Sequence, residues 1–403
     1  ILPETVKEVK DYAFYSCSSF TGNLNLSYVK HTIGQYAFYK CTSFDGSLVL
    51  CPGLAGISNF SFYGCSKLKG QPEMPIFGKL ISSYAFYKCS SLTGPLTFSS
   101  NLYEIGDYAF YGCRSLRGNL HIGFGILRVG NSAFYGCSGF TGSLRVVSRG
   151  DSRNFNSPDK TRFLCVVEDY AFYGCSGFKG ELSLQNISYF GKYSFYGCSG
   201  FTGDLAIPLS NIDDYAFYGC SGFNGKLEFT RNLIYINYDY YNFYNFVRTI
   251  GKYAFYGCYR LTSLDIDEKY KYIDDYAFCG CSGFSNELLL PNYLERIGDY
   301  AFCNCSGLIG ELDIQTYSDC NTDSGSYIGD YAFYGCSGLE NLVINDGYRL
   351  HIGQYAFGET NFSTLEYLKS YVEPEYVYPI GFNDNISIYV RPDYRSASFC
   401  THN

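Results

Sequence analysis

Hydrophobic residues return at regular positions along the chain, in units of about 24 residues. In the unit from Cys17 to Cys41, Leu24 and Leu26 alternate with polar asparagines. Such alternation is typical of a short strand with one buried face. From Ile33 onward the apolar residues are spaced too irregularly for a long helix. We therefore predict a short extended segment there, followed by a single helical turn.

The unit is copied along most of the chain as variants of Ile-Gly-Asp-Tyr-Ala-Phe-Tyr-Gly-Cys-Ser-Gly-Phe-Thr-Gly. Thirteen copies contain the cysteine, which lies at positions 17, 41, 65, 89, 113, 137, 175, 198, 220, 258, 281, 305 and 336. A fourteenth copy, Ile352 to Thr360, has threonine in its place. One unit is too small to bury its own apolar face, so the sequence predicts a repeat solenoid of about 14 stacked coils.

The repeat continues without a break in composition, so we predict one solenoid domain at 1-362 and an atypical C-terminal capping segment at 363-403. Three insertions fall between a strand and the following Ile-Gly, at 147-165, 231-248 and 316-327. Because they share this place in the repeat, we expect them to emerge along one edge of the solenoid. The chain opens at Ile1, already inside the pattern, which indicates a processed or truncated chain.

Charge and hydropathy argue against two kinds of partner. The chain has 30 Lys and Arg against 38 Asp and Glu, a formal net charge of −8, without a run of basic residues. A nucleic-acid partner, whose phosphates require clustered Lys and Arg, is therefore not expected. No apolar stretch reaches the ~18 residues of a membrane span, so we also expect no such span.

Catalytic and metal-binding patterns are not found in the sequence. The histidines at 31, 121, 351 and 402 are scattered and lack ligand spacing. The recurring glycines match tight turns better than a phosphate-binding loop. We therefore predict a protein that is not an enzyme and that needs neither a cofactor nor a metal ion.

Most of the 19 cysteines occupy the same position of the repeat, where parallel stacking of the coils points their side chains in the same direction. We expect these to be buried, reduced thiols, since a free cysteine packs as a small apolar residue. Cys279 and Cys303 instead occupy a tyrosine position in adjacent repeats and should be neighbours. They form either a disulfide or a pair of exposed or half-buried thiols.

The first two insertions contain candidate binding segments. Arg149-Gly150-Asp151, followed by serine, is the integrin-type adhesion tripeptide, and the alternative is a polar turn. The second insertion interleaves aromatic residues with asparagine, and its central residues include Tyr240, Tyr241 and Phe243. That segment either packs on the solenoid or forms an exposed patch used for self-association.

Acidic residues accumulate at outward strand positions in the second half of the chain, among them Glu287, Glu311 and Asp313. Neighbouring strands bring such like charges close enough to repel. The face is therefore either a site for a basic partner or for divalent cations, or simply a solvated surface.

Glycosylation sequons add a further set of candidate sites. We predict acceptors at Asn59, Asn25, Asn186, Asn361 and Asn385, with Asn59 the best because it occupies a motif position that is usually exposed. Asparagine is common in this chain, so several of these sequons are expected to be chance matches.

Leu-x-Ile-Pro, then Ile-Gly-x-x-Ala-Phe-x-x-Cys, then Leu-Thr-x-Leu-x-Ile resembles the leucine-rich repeat of the BspA type, found in surface proteins of bacteria and mucosal protists. The closest local match is Leu261 to Ile266. The resemblance implies a curved or twisted solenoid with a parallel strand sheet on one face and short extended or helical-turn segments on the other. It also implies adhesion and binding at cell surfaces, and it supplies no catalytic residue.

Two functions follow from the repeats and their insertions. The first is a non-enzymatic extracellular or cell-surface protein that binds a protein partner or a host or cell-surface ligand through its sheet face and edge loops. The alternative is a structural subunit of a self-assembling extracellular filament, favoured by the repeated tyrosines and by the start inside the repeat pattern.

Overall fold

The computed structural model describes residues 2–74, 78–148, 164–230, 248–292, 294–315, 326–346, 350–369 and 387–392. The described residues form strands and turns, and none of them lies in a helix. The chain divides into two compact units. The first consists mainly of Ile1–Ser210 together with Cys220–Gly222, and the second mainly of Asn211–Gly219, Phe223–Phe229 and the later repeats.

One kind of strand, here called the front strand, follows the Phe-Thr-Gly part of the repeat. Its apolar residues are buried and alternate with more exposed ones, as at Leu24, Asn25 and Leu26. In the first unit the front strands are β1 (Leu24–Leu26), β2 (Leu48–Leu50), β4 (Gly94–Thr97), β6 (Leu116–Ile122), β8 (Leu144–Val147), β10 (Leu182–Gln185) and β12 (Leu205–Pro208). In the second they are β14 (Lys226–Thr230), β16 (Ser263–Asp265), β19 (Gly310–Gln315), β21 (Leu339–Asp346), β23 (Thr364–Lys369) and β24 (Ser387–Pro392).

A second kind, the back strand, precedes the Gly-Asp-Tyr part of the motif. In the first unit the back strands are β3 (Leu80–Ile81), β5 (Glu104–Ile105), β7 (Arg128–Val129), β9 (Cys165–Val167) and β11 (Ile187–Phe190). In the second they are β13 (Asn211–Ile212), β15 (Arg248–Ile250), β17 (Tyr270–Ile273), β18 (Arg296–Ile297), β20 (Tyr327–Ile328) and β22 (His351–Ile352).

Both kinds of strand pair in parallel with the equivalent strand of the next repeat. In the first unit the front sheet has the order β4-β6-β8-β10 and the back sheet β3-β5-β7-β9-β11, with β1 paired to β2. In the second unit the orders are β14-β16 and β19-β21-β23-β24 for front strands, and β13-β15-β17-β18-β20-β22 for back strands. The repeats of each unit therefore stack, as expected for a unit too small to bury its apolar face alone.

The motif segment between the two strands forms a ladder of turns. Alternate backbone N–H groups bond to the next repeat, as Phe14 N does to Ala37 O at 2.8 Å. The others bond three residues back, as Cys17 N does to Phe14 O at 3.2 Å. Tyr12 and Ser16 have left-handed φ values of 57° and 55°, which an α-helix does not accommodate. These turns replace the single helical turn expected from the sequence.

Phenylalanine and cysteine columns run through the core. Phe110 is fully buried, and its ring stacks on those of Phe86 and Phe134 with centroids 5.2 Å away in each case. Each core thiol donates a hydrogen bond to a phenylalanine carbonyl of the preceding repeat, as Cys65 Sγ does to Phe38 O at 3.0 Å. A cysteine thus fills a small apolar site and also satisfies a backbone acceptor.

The repeat cysteines of the described residues are free thiols. All are buried except the first, Cys17, which is half-buried, so the prediction of buried thiols is confirmed for the other copies. Burial disfavours the thiolate and raises the pKa of Cys41 to about 11 and that of Cys198 to about 12.

Candidate interaction surface

Acidic side chains lie together on the front face of the second unit. Glu287 and Glu311 are exposed and Asp313 is half-buried. The parallel bridge between Leu289 and Asp313 places their two repeats side by side. The amide of Gln315 donates a hydrogen bond of 2.7 Å to Asp313 Oδ2. The structure therefore brings the three predicted acidic residues to one face.

A further acidic pair lies on the same kind of strand. Glu228 on β14 is the direct partner of Asp265 on β16, and both are exposed. Parallel neighbours in this position are about 4.8 Å apart, so their like charges oppose each other. Among the described residues, the carboxylates of Glu228, Asp265, Glu287 and Glu311 take part in no ion pair.

Tyrosine rings form stacked columns along the turn ladder. In the first unit, successive ring centroids lie 4.5 to 5.0 Å apart along Tyr15, Tyr39, Tyr63, Tyr87 and Tyr111. Since the ring faces cover one another, mainly the edges and hydroxyl groups face solvent. Burial within the column raises the pKa of the Tyr63 phenol.

Two arginine clusters were not predicted from the sequence. Arg128 on β7 forms ion pairs with Glu104, Asp107 and Glu168, and its side chain is 27% exposed. In the second unit, Arg296 bonds to neighbouring aspartates and lies over a tyrosine ring, with its guanidinium carbon 4.8 Å from the centroid. These partners lie on adjacent back strands or directly after them, so each cluster joins neighbouring coils and its charges are paired within the chain.

No group of three or more metal-ligating side chains capable of holding a cation occurs in the described ranges. The same ranges contain no apolar helix of the length needed to span a membrane.

Comparison with known proteins identifies the repeat. The family profile described as "BspA type Leucine rich repeat region" matches residues 1–93, 79–143, 152–247 and 248–376. The chain belongs to the BspA-type leucine-rich repeat family. The resemblance drawn from the sequence is therefore confirmed, together with a repeat fold built on parallel strand sheets.

One solved structure shares the repeat fold of this chain, and a second matches part of the chain. A leucine-rich repeat protein from Bacteroides ovatus is 21% identical, with 95% of this chain and 87% of that chain covered and a TM-score of 0.53. The leucine-rich repeat protein of T. pallidum is 28% identical over 44% of this chain and 76% of its own, with a TM-score of 0.35. No curated protein matches the chain.

Cys279 and Cys303 are neighbours in this BspA-type array, where they replace tyrosines of a column. Both are buried free thiols, so the structure contains the predicted pair without a disulfide. The hydrogen bond to Cys303, together with burial, raises the pKa of Cys279. The same bond stabilises the Cys303 thiolate and lowers its pKa.

The predicted glycosylation sites differ in accessibility. Asn361 is exposed, whereas Asn25 and Asn59 are half-buried. Asn186 is buried, and its Nδ2 donates a hydrogen bond of 2.7 Å to the carbonyl of Ser148. The prediction for Asn186 is therefore wrong for the folded protein, because its amide nitrogen points inward where a glycan has no room.

Several predicted residues lie outside the described residues. They are Arg149, Gly150 and Asp151 of the first insertion, Tyr240, Tyr241 and Phe243 of the second, and the sequon residue Asn385.

Proposed function

We propose that this BspA-type protein is a non-enzymatic interaction protein of the cell surface or the extracellular space. It binds a protein partner, or a host or cell-surface ligand, through the acidic front face of its second unit and through the insertions. The observation that carries this proposal is the group of exposed carboxylates without ion-pair partners at Glu228, Asp265, Glu287 and Glu311.

The electrostatics of the acidic face favour a basic partner. Like charges placed opposite each other on neighbouring strands are destabilising, and Glu228 faces Asp265 in this way. A ligand with Lys or Arg side chains relieves that repulsion and is steered toward the face during encounter. Divalent cations are the less favoured ligand, since the described residues supply no group of three candidate metal ligands.

The front strands of each unit pair in parallel and offer a binding platform within that unit. We propose that residues 1-362 form a single solenoid of about 14 coils, with 363-403 as its cap. Support for the cap comes from β23 and β24, which continue the parallel front sheet beyond β21. We propose the insertions at 147-165, 231-248 and 316-327, most of whose residues lie outside the described ranges, as further binding segments.

The second candidate function is that of a filament subunit. The tyrosine columns favour it, since rows of phenolic groups offer repeated contacts to another chain. Electron microscopy of the native material tests this function directly: regular filaments support it, and dispersed single molecules contradict it.

Binding to cultured epithelial cells tests the first proposal. Glu287→Gln with Glu311→Gln should reduce binding of the labelled protein at least tenfold, because the substitutions remove charge and leave shape almost unchanged. The matched control is Glu268→Gln with Glu359→Gln, which neutralises two exposed carboxylates outside the front face. Deleting 149-160 tests the first insertion separately. If the Glu287→Gln, Glu311→Gln variant and the deletion both bind as strongly as the parent, the contact lies elsewhere on the protein.

A further inference from the structure

The two units carry opposite charge. Residues 1–210 contain 18 Lys and Arg against 13 Asp and Glu, whereas residues 211–403 contain 12 against 25. The overall charge of −8 therefore conceals a basic first unit and a strongly acidic second unit. Such asymmetry favours association between unlike parts of two copies.

Basic side chains lie on the front face of the first unit on two neighbouring strands. His121 on β6 is the direct partner of Arg145 on β8, and both side chains are exposed. Arg114 and Arg117 are exposed at the start of the same strand region. Within the described residues, Arg145 takes part in no ion pair. We call His121 and Arg145 the basic pair.

The acidic pair, Glu228 and Asp265, occupies the same place in the repeat as the basic pair. Arg145 stands between Leu144 and Val146, and Asp265 stands between Leu264 and Ile266. Each is the outward residue between two apolar ones on a front strand. Each pair spans two adjacent parallel strands, so the two residues of each pair are spaced by the same distance of about 4.8 Å.

We propose that the basic pair of one copy docks on the acidic pair of a second copy of this chain. This docking proposal rests on the function proposed above for the acidic front face, and it names a second copy of the chain as a partner of that face. Two surfaces of the same repeat geometry, one carrying the cation of Arg145 and the other two carboxylates, are complementary when placed face to face. The guanidinium of Arg145 supplies a planar set of donors suited to a carboxylate.

Docking also removes an unfavourable interaction from each copy. Glu228 and Asp265 repel each other in the isolated chain because they are direct neighbours of like charge. A cation placed between them offsets that repulsion. Because both surfaces are exposed, the contact should be sensitive to salt, whose Debye length shortens from about 10 Å at 0.1 M to about 3 Å at 1 M.

Reciprocal charge swaps test the contact in the full chain by sedimentation velocity. One variant carries His121→Glu with Arg145→Glu, and the other carries Glu228→Arg with Asp265→Arg. Each variant places in one unit the kind of charge that the other unit already holds at that repeat position, so both are expected to fold. The matched control is Lys30→Glu with Lys67→Glu, which reverses two exposed charges of the first unit elsewhere.

The parent should self-associate at low salt and dissociate near 1 M NaCl, where screening is strong. Each charge-swap variant alone should associate at least tenfold more weakly, and the control should match the parent. An equimolar mixture of the two variants should associate again, because the unaltered acidic pair of one variant meets the unaltered basic pair of the other, and the two altered pairs also complement each other. Unfolding of either variant as a whole would not be reversed by mixing.

A parent that remains monomeric at low salt overturns the docking proposal, as does a mixture that fails to recover association. Heparin provides a further probe: if the monomeric parent binds it and the His121 and Arg145 variant does not, the basic pair recognises a sulfated polysaccharide instead. Cell binding through Glu287 and Glu311 is measured with other variants. It can therefore persist when self-association is absent, and the proposed function then stands without the docking contact.

Discussion

Burial and ring stacking contribute separately to the stability of the fold, and the adjacent residues Phe110 and Tyr111 allow the two contributions to be compared. The Phe110 ring stacks between two phenylalanines, with both centroids 5.2 Å away, and is fully buried. The Tyr111 ring stacks between two tyrosines, at 4.9 and 4.7 Å, but is only half-buried. Replacing each residue with alanine removes two stacking contacts in both cases, so the difference in cost measures burial.

Phe110→Ala is expected to cost more than Tyr111→Ala. Removing a buried phenylalanine costs about 3 to 5 kcal/mol, because transfer free energy is lost and a cavity remains. An aromatic pair contributes about 0.5 to 1.5 kcal/mol beyond its buried area. Tyr111→Ala loses two such contacts from a side chain that is partly in water, so we expect about 1 to 2 kcal/mol.

Hydrogen exchange with mass spectrometry is the suitable assay, because stacked repeats need not unfold in a single two-state transition. Phe110→Ala should reduce protection most in β6 and β8 and progressively less in repeats farther away. Equal losses for Phe110→Ala and Tyr111→Ala would refute burial as the main source of stability. A uniform loss from end to end would refute the nearest-neighbour description.

Three further predictions concern titratable side chains. Burial raises the pKa of Cys137 to about 12 in the folded protein, whereas a cysteine thiol in the unfolded chain has a pKa of about 8.5. As pH rises above about 8.5, ionisation of this thiol in the unfolded chain therefore lowers the free energy of unfolding by about 1.4 kcal/mol per pH unit. Urea unfolding in reductant should therefore show a shallower decline for Cys137→Ala, and identical slopes would contradict the assignment. Cys303 and Cys305 are both buried, but iodoacetamide should modify Cys303, whose pKa is lowered by Cys279, before Cys305, whose pKa is raised by burial, as peptide mapping would show. Arg128→Met leaves three carboxylates without their cation and should cost about 1 to 2 kcal/mol, less at high salt, and an unchanged urea midpoint at low salt would exclude this role.

The candidate surface was only partly visible in the sequence. Glu287, Glu311 and Asp313 were found because the outward position of a front strand can be counted from the repeat. The pairing of His121 with Arg145 was missed, since a single histidine and arginine 24 residues apart are not conspicuous until strand register joins them. Asn186 was misjudged because its sequon does not reveal that the residue is buried with a left-handed φ of 57°.

The sequence by itself determined the repeat, the alternation of the front strands and the buried column of repeat cysteines that contains Cys113. These follow from short-range periodicity, because side chains of a strand alternate between two faces and copied units bury copied positions. The tertiary structure decided which residues of different coils meet. Arg128 bonds to Glu168, 40 residues later, because an insertion lengthens the chain between two adjacent coils. Register across coils depends on such lengths and on hydrogen bonds between repeats, and no local pattern specifies it.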